Sequence, residues 1–303
     1  MAGLVSGPGR FAGVRVLVVG GGADGPPATP GGIAMGNGRA IAHRFLAEGA
    51  AVAVTDRDRR LAEETLATAA GAGAAGTGTG AAGPEAGGSG AGIAIEADAA
   101  DPEACRAAVR TAEAGLGGLD VVVCNVGIGG GAPIRAQQVD DWDRTMDVNV
   151  RSHWITAAEA LGGMSARGRG SLVFVSSLSG LASNGLALAY EVSKAAQLAI
   201  VRHIAVRYAA RGIRANAVLL GYVDSTMARR VQGADASVRA ERAALAPARR
   251  QGTPAEVAGV VAFLASDDAA YVNGAAVPVD GGVLAQSPDV VTRSLVPQEV
   301  PGS

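Results

Sequence analysis

A single lysine, Lys194, stands among the 26 basic side chains of this 303-residue chain; the rest are arginine. Either residue can carry a surface charge, so the exception needs a reason that a broad planar guanidinium cannot meet and a compact ammonium can. Cysteine is nearly absent as well. Cys105 and Cys124 form no ligand or redox spacing, which suits a reducing cytosol. The three histidines, His43, His153 and His203, lie apart on expected helices without metal-ligand spacing, so no metal is expected and each is read as structural or surface. No apolar run approaches the roughly eighteen residues of a membrane span, which excludes a spanning helix. The apolar run near the N-terminus is only about five residues, flows into glycines and lacks a small-residue cleavage site, so it reads as a strand and not a leader. A net charge of −2 leaves no electrostatic case for nucleic acid or an anionic membrane. At 49% hydrophobic composition, the expectation is a soluble, cytoplasmic, globular chain.

What is present is organised around Gly170 to Lys194, GSLVFVSSLSGLASNGLALAYEVSK. It opens as a strand ending at Ser176-Ser177 and closes as the start of a helix that runs to Gly212. Tyr190 and Lys194 are four apart and share one helix face; Ser177, at a strand end, can reach the same place. A compact cation beside a phenol favours the phenolate. Bringing a tyrosine from about pH 10 to near neutrality takes roughly three pKa units, on the order of 4 kcal/mol. The plain alternative, one unreplaced surface lysine, does not explain its place one turn after Tyr190.

In chain order, Val14 to Val19 reads as a buried first strand, Gly20-Gly21-Gly22 as a turn, and Gly36-Asn37-Gly38-Arg39 as the opening of a helix. Strand, glycine turn and helix form the nucleotide-binding start of a doubly wound sheet, with backbone N–H groups and a helix N-terminus facing a pyrophosphate. Ala51 to Thr55 reads as the second strand, ending at Asp56. A carboxylate there accepts hydrogen bonds from ribose hydroxyls and repels a 2′-phosphate, which favours NAD(H) over NADP(H); Arg57 softens that preference. Asp56 could also be an ordinary cap of the next helix. Residues 70–92 are low in complexity and aperiodic, and read as a mobile surface insertion remote from chemistry. Ile93 to Ala97 is the third strand, followed by Asp98; Asp101-Pro102-Glu103 opens a helix. Leu119 to Cys124 is the fourth, ending in Cys124-Asn125-Val126-Gly127, with Cys124 a small buried apolar residue. Asn149 falls inside a long helical pattern, and Ile213 to Val218 leads to Leu219-Leu220-Gly221-Tyr222-Val223-Asp224-Ser225. Residues 226–250 hold six arginines against Asp235 and Glu241. That excess would welcome an anionic substrate or merely solvate a helix face. Pro254 opens a capped helix before the last strand, which ends in Asp280-Gly281-Gly282, and the tail 283–303 reads as a flexible arm or a cover over a pocket mouth.

Ser177, Tyr190 and Lys194, thirteen and then four positions apart, resemble the Ser–Tyr-x-x-x-Lys constellation of the short-chain dehydrogenase/reductase family. A lone Tyr-x-x-x-Lys is common by chance; its companions give it weight, and the resemblance runs to about Gly282. Gly20 and Gly36-Asn37-Gly38 stand where the family has Gly, three residues and Gly-Ile-Gly. About twelve extra residues lie between, as in a subgroup whose extended loop ends in Gly-Asn-Gly. Cys124-Asn125-Val126-Gly127 replaces Asn-Asn-Ala-Gly, and Leu220 to Ser225 replaces Pro-Gly-x-Val/Ile-x-Thr. The resemblance implies a single doubly wound Rossmann-type α/β domain over 1–282, with a mostly parallel seven-stranded sheet and a mobile substrate lid at 226–250. It implies a catalytic set of Asn149, Ser177, Tyr190 and Lys194. For the cofactor it implies contacts from Gly20, Gly36, Asn37, Gly38, Asp56, Asp98 (against the adenine), Asn125, Gly127, Tyr190, Lys194, Gly221, Val223 and Ser225. It also implies a homotetramer or homodimer.

The resulting expectation is an NAD(H)-dependent oxidoreductase interconverting a secondary alcohol and a ketone. Ser177 hydrogen-bonds the carbonyl, Tyr190 supplies the proton, Lys194 lowers the Tyr190 pKa and grips the nicotinamide ribose, and Asn149 holds a water that links this relay to solvent. Ile128, Ser179, Leu181, Leu186, Tyr222 and Met227 are expected to line a mainly apolar substrate site, suited to a hydrophobic or cyclic ketone. Two other classes stay open: an NAD-using epimerase or dehydratase with transient hydride transfer, and a non-catalytic dinucleotide-binding scaffold. Retention of all four catalytic residue types argues against the scaffold.

Overall fold

The apolar runs assemble into one sheet in the computed structural model, which describes residues 9–25, 27, 32–74, 92–232 and 235–287. Its strands are β1 Arg15–Val19, β2 Ala51–Asp56, β3 Gly92–Glu96, β4 Val121–Cys124, β5 Gly170–Ser177, β6 Ile213–Leu220 and β7 Ala276–Val279. They lie in the order β3-β2-β1-β4-β5-β6-β7. Every pairing is parallel, so the doubly wound, seven-stranded expectation is met. Strands such as β4, VVVC, are buried along their whole length, which is why they read as unbroken apolar runs and not as alternation.

Successive residues of each strand feed opposite faces of the sheet. Val16, Val18, Val52 and Val54 pack with Ile41 and Phe45 of α1 (Asn37–Ala47) and with Val257 and Val261 of α9 (Pro254–Ala265). Leu17 and Ala53 join the other layer, with Val109 of α3 (Pro102–Leu116), Ala160 of α5 (Ser152–Arg167) and Ile204 of α6 (Leu188–Tyr208). Helix starts follow their cap chemistry. Asp101 accepts from the N–H groups of Glu103 and Ala104, and Thr253 forms a reciprocal capping box with Glu256.

Four boundaries differ from expectation. Helix α2 (Arg59–Ala74) and β3 take over the ends of the low-complexity segment, because the backbone ladder continues wherever a neighbouring element supports it; 75–91 lie outside the described residues. The long helix around Asn149 is three pieces: α4 (Val139–Met146), one π-helical turn (Asp147–Arg151) and α5. The lid expected at 226–250 holds two helices, α7 (Thr226–Gln232) and α8 (Ala236–Leu245). The tail begins with a 3₁₀ turn at Val283–Ala285; 288–303 lie outside the described residues, as do 26 and 28–31 of the extended glycine loop. No described helix is long and apolar enough to cross a membrane. The strand order reverses between β1 and β4, and at that switch point the C-terminal strand ends leave a crevice.

Candidate active site

The crevice is a cavity of about 980 Å³, and every residue expected to contact a cofactor lines it. Gly20 ends β1 at φ +77°, a left-handed conformation that favours glycine, and its carbonyl accepts from the Asn125 amide at 2.6 Å. Helix α1 then passes so close that a Cβ on Gly38 would collide with the Gly20 carbonyl and the Asn125 amide. Gly38 is therefore the close-approach glycine. Gly36 caps α1 without a side-chain hydrogen bond, and the first turn holds no acidic residue, in contrast to α3 and α9. Asn37 Oδ1 is buried there without a partner. An uncapped helix start, carrying partial positive charge and opening on a cavity, fits a pyrophosphate.

Asp56 faces this loop. Its carboxylate accepts from Gly22 N–H at 3.1 Å and Asp58 N–H at 3.2 Å. Burial pushes the carboxyl above the usual range, the two N–H groups oppose the shift, and the nearby charge of Asp24 adds to it. The start of α2 is served instead by Asp58, which accepts from Arg60 N–H at 2.9 Å, so the cap reading belongs to that residue. Asp24, in the extended glycine loop, pairs with Arg57 at 3.6 Å and also with Arg230 of α7. The residues present fit a dinucleotide, with the helix start for its phosphates and Asp56 for a ribose.

Ser177 ends β5, and α6 sets Tyr190 and Lys194 beside it. Lys194 is 5% exposed. Its ammonium donates to the Val175 carbonyl at 3.0 Å and lies over the Tyr190 ring, 5.5 Å from the centroid. Burial brings the Lys194 amine down to about 8. The expected lowering of Tyr190 by Lys194 is not found. Burial raises the phenol above its ordinary value, and the opposing influence is a hydrogen bond with Ser177. The ammonium addresses the ring face, and desolvation outweighs what acts on the hydroxyl.

Asn149 does not reach the cavity; it is fully buried behind the wall. Its Oδ1 accepts from Ile128 N–H at 2.8 Å, and its Nδ2 donates to the Ile128 carbonyl and to Ser193 Oγ, both at 3.0 Å. Ser193 in turn donates to the Tyr190 carbonyl at 2.7 Å. The Asn149 carbonyl accepts from Gln197 Nε2 at 2.7 Å, and that amide also reaches His153 Nδ1 at 3.1 Å. His153 Nε2 therefore carries the proton, which it donates to the Val126 carbonyl at 2.9 Å. Burial, with the charge of Lys194, brings His153 down to about 3, so it is a neutral structural residue. The Asn149 side chain and carbonyl are thus engaged by Ile128, Ser193 and Gln197. Gly127 lies beside them: a Cβ there would stand in ordinary contact, 3.4 Å from Asn149 Oδ1 and 3.6 Å from Lys194 Nζ. Sequence reasoning missed Ser193 and Gln197, whereas His153 has the structural role read for it. The signal was present, because Tyr190, Ser193, Lys194 and Gln197 form a polar stripe at helical spacing on a largely apolar helix.

At the substrate end, Ile128, Ser179, Leu186, Tyr222 and Met227 line the cavity as expected, and Val283, Leu284 and Gln286 join them. Leu181 does not. It is 61% exposed, turned outward as its N–H closes the 3₁₀ turn onto the Leu178 carbonyl. Gly221 N–H bonds the Val279 carbonyl, Val223 bridges Gly252, and Ser225 Oγ accepts from Ala228 N–H at 3.3 Å, which anchors the start of α7. Among the described residues no group of three or more His, Cys, Asp or Glu is placed to hold a metal.

Comparison with known proteins agrees with this geometry. A family model described as enoyl-(acyl carrier protein) reductase matches residues 32–284. The chain is 38% identical over 253 residues to 2-(S)-hydroxypropyl-CoM dehydrogenase 3 of Xanthobacter autotrophicus, covering 82% of this chain and 93% of that relative. It is 40% identical over 192 residues to cis-4-hydroxycyclohexanecarboxylate dehydrogenase of Sinomonas cyclohexanicum, covering 63% and 76%. Among solved structures, a levodione reductase superposes with a TM-score of 0.80 at 28% identity, covering 92% of this chain and 100% of that one. A gluconate 5-dehydrogenase from Burkholderia cenocepacia, in complex with NADP and tartrate, superposes with a TM-score of 0.77 at 27% identity, covering 93% and 99%.

Proposed function

Since the chain belongs to the short-chain dehydrogenase/reductase family of oxidoreductases, we propose that it interconverts a secondary alcohol and a ketone with NAD(H), using Tyr190 as the proton-transfer group. The observation that carries this reading is the meeting of Ser177, Tyr190 and Lys194 at one cavity that is also lined by an uncapped helix start and the Asp56 carboxylate. When bound, the nicotinamide supplies or accepts the hydride. Ser177 orients the substrate oxygen by donating a hydrogen bond to it. Tyr190 gives its proton to that oxygen in reduction and takes it in oxidation. Lys194 holds a compact positive charge against the face of the Tyr190 ring, where it can grip the nicotinamide ribose. Asn149 positions rather than reacts: through Ile128 it holds the loop after β4, and through Ser193 the turn that carries Tyr190.

Asp56 supports NAD over NADP, and Arg57, which would soften that preference, lies 3.6 Å from the Asp24 carboxylate. The mainly apolar substrate end supports a hydrophobic or cyclic substrate. Two free, buried cysteines suit a cytoplasmic setting. Exposed Trp154 on α5 and Val206 on α6 suit self-association through these helices, as a homotetramer or homodimer.

The test is Tyr190→Phe. NADH affinity, read by fluorescence titration, should stay near that of the parent protein, while kcat on a ketone substrate falls by at least about a hundredfold. Near-normal turnover in that variant defeats the assignment.

A further inference from the structure

We propose that Arg242 of α8 forms an oxyanion subsite at the substrate end of the cavity, so that the alcohol or ketone carries a carboxylate or similar anion away from its reacting carbon. The proposal rests on reading this cavity as the alcohol/ketone site. Six arginines lie in 226–250, and the fold accounts for most of them. Arg229 grips both oxygens of Asp224, with Nε–Oδ1 and Nη2–Oδ2 each 2.7 Å. Arg230 is held by Asp24, Arg250 pairs with Glu256 at 2.6 Å, and Arg249 donates to the Ala244 carbonyl at 3.2 Å. Arg239 lies away from the cavity. Arg242 lines it, half-buried, and makes no hydrogen bond or ion pair with any described residue.

A guanidinium in that position is out of balance. It stays ionised, yet its surroundings withdraw water and lower its proton affinity, with Tyr222 and Asp224 only partly offsetting this. Asp224 is held through both carboxylate oxygens by Arg229 and makes no hydrogen bond or ion pair with Arg242. Met227 and Leu284 in the same wall offer no acceptor, and the nearby Tyr222 phenol offers a second donor. A partly desolvated cation without a partner among the described residues is best completed by an oxyanion that accepts its planar fork. The excess of arginine in the lid, open in sequence to a plain surface reading, thus resolves into four residues held by the fold, Arg239 away from the cavity, and Arg242 on the cavity wall without a described partner.

The test uses the full-length protein saturated with NADH, titrated calorimetrically with cyclohexanecarboxylate and with the neutral cyclohexanecarboxamide. The acid should bind about tenfold more tightly than the amide. Arg242→Gln should abolish that difference, and Arg242→Lys should retain part of it. Arg242→Gln is also checked for an unchanged melting temperature, so that lost binding is not lost fold. An acid that binds no better than the amide, or binds Arg242→Gln as it binds the parent, overturns the subsite. Failure of NADH itself to bind would instead overturn the cofactor reading.

Discussion

Asn149 holds Ile128 by both of its main-chain groups, accepting from the N–H at 2.8 Å and donating to the carbonyl at 3.0 Å. The π turn at Asp147–Arg151 interrupts the helical run and sets this side chain behind the cavity wall. It thereby joins the loop after β4 to the helix that carries Tyr190 and Lys194.

Asn149→Ala should therefore lower stability as well as turnover. It leaves the partly buried Ile128 N–H and carbonyl and the buried Ser193 hydroxyl without their side-chain partner, and an unsatisfied group costs about 1–3 kcal/mol where it is buried. We expect a loss of roughly 2–4 kcal/mol in urea unfolding, with the melting temperature falling in parallel. Unchanged stability would mean that water replaces the amide without loss.

Cofactor choice should turn on the two carboxylates at the adenosine end. Asp56→Asn removes the charge that repels a 2′-phosphate, so NADPH affinity should rise by at least about tenfold relative to NADH. Asp24→Asn added to it should raise NADPH affinity further, because Arg57 and Arg230 both lose an ion-pair partner. Paired fluorescence titrations with NADH and NADPH check this. Parent protein that binds both equally well would remove Asp56 as the discriminator.

Lys194 gives a stability signature with a definite sign. Its amine drops from 10.5 in the unfolded reference to about 8 in the fold. Between those values the unfolded chain holds a proton that the folded chain has released, so the contribution of this lysine to stability rises with pH across that window. Below it both states are charged, and the burial penalty stands in full. Lys194→Met lacks the titration. The stability difference between parent and variant should therefore shift toward the parent by roughly 3 kcal/mol from pH 8 to 10.5, followed by urea unfolding at a series of pH values. A flat difference would show that the amine titrates normally.

Much of the fold was legible because its signals are local. Unbroken runs such as VVVC mark strands buried on both faces, Asp101-Pro102 and Thr253-Pro254 mark helix starts by cap chemistry, and a spacing of four puts Tyr190 and Lys194 on one face. Where sequence reasoning went astray, the deciding factor was how a side chain is aimed or buried, which residue type does not show. Leu181 carries the composition of a pocket residue, and only the turn at Leu178–Gly180 aims it outward. The tuning of Tyr190 was argued from charge alone; the fold added the desolvation that opposes it.

By itself the sequence determined the alternation of strands and helices, the glycines that let α1 approach β1, and the residue types gathered at the end of β5. Tertiary structure alone decided their environment. It placed Asp24 against Arg230, 206 positions away, closed Asn149 onto Ile128, and left Arg242 facing a cavity without a partner among the described residues. Spacing along a chain fixes which side chains share a face, whereas charge balance and burial depend on what packing brings from elsewhere.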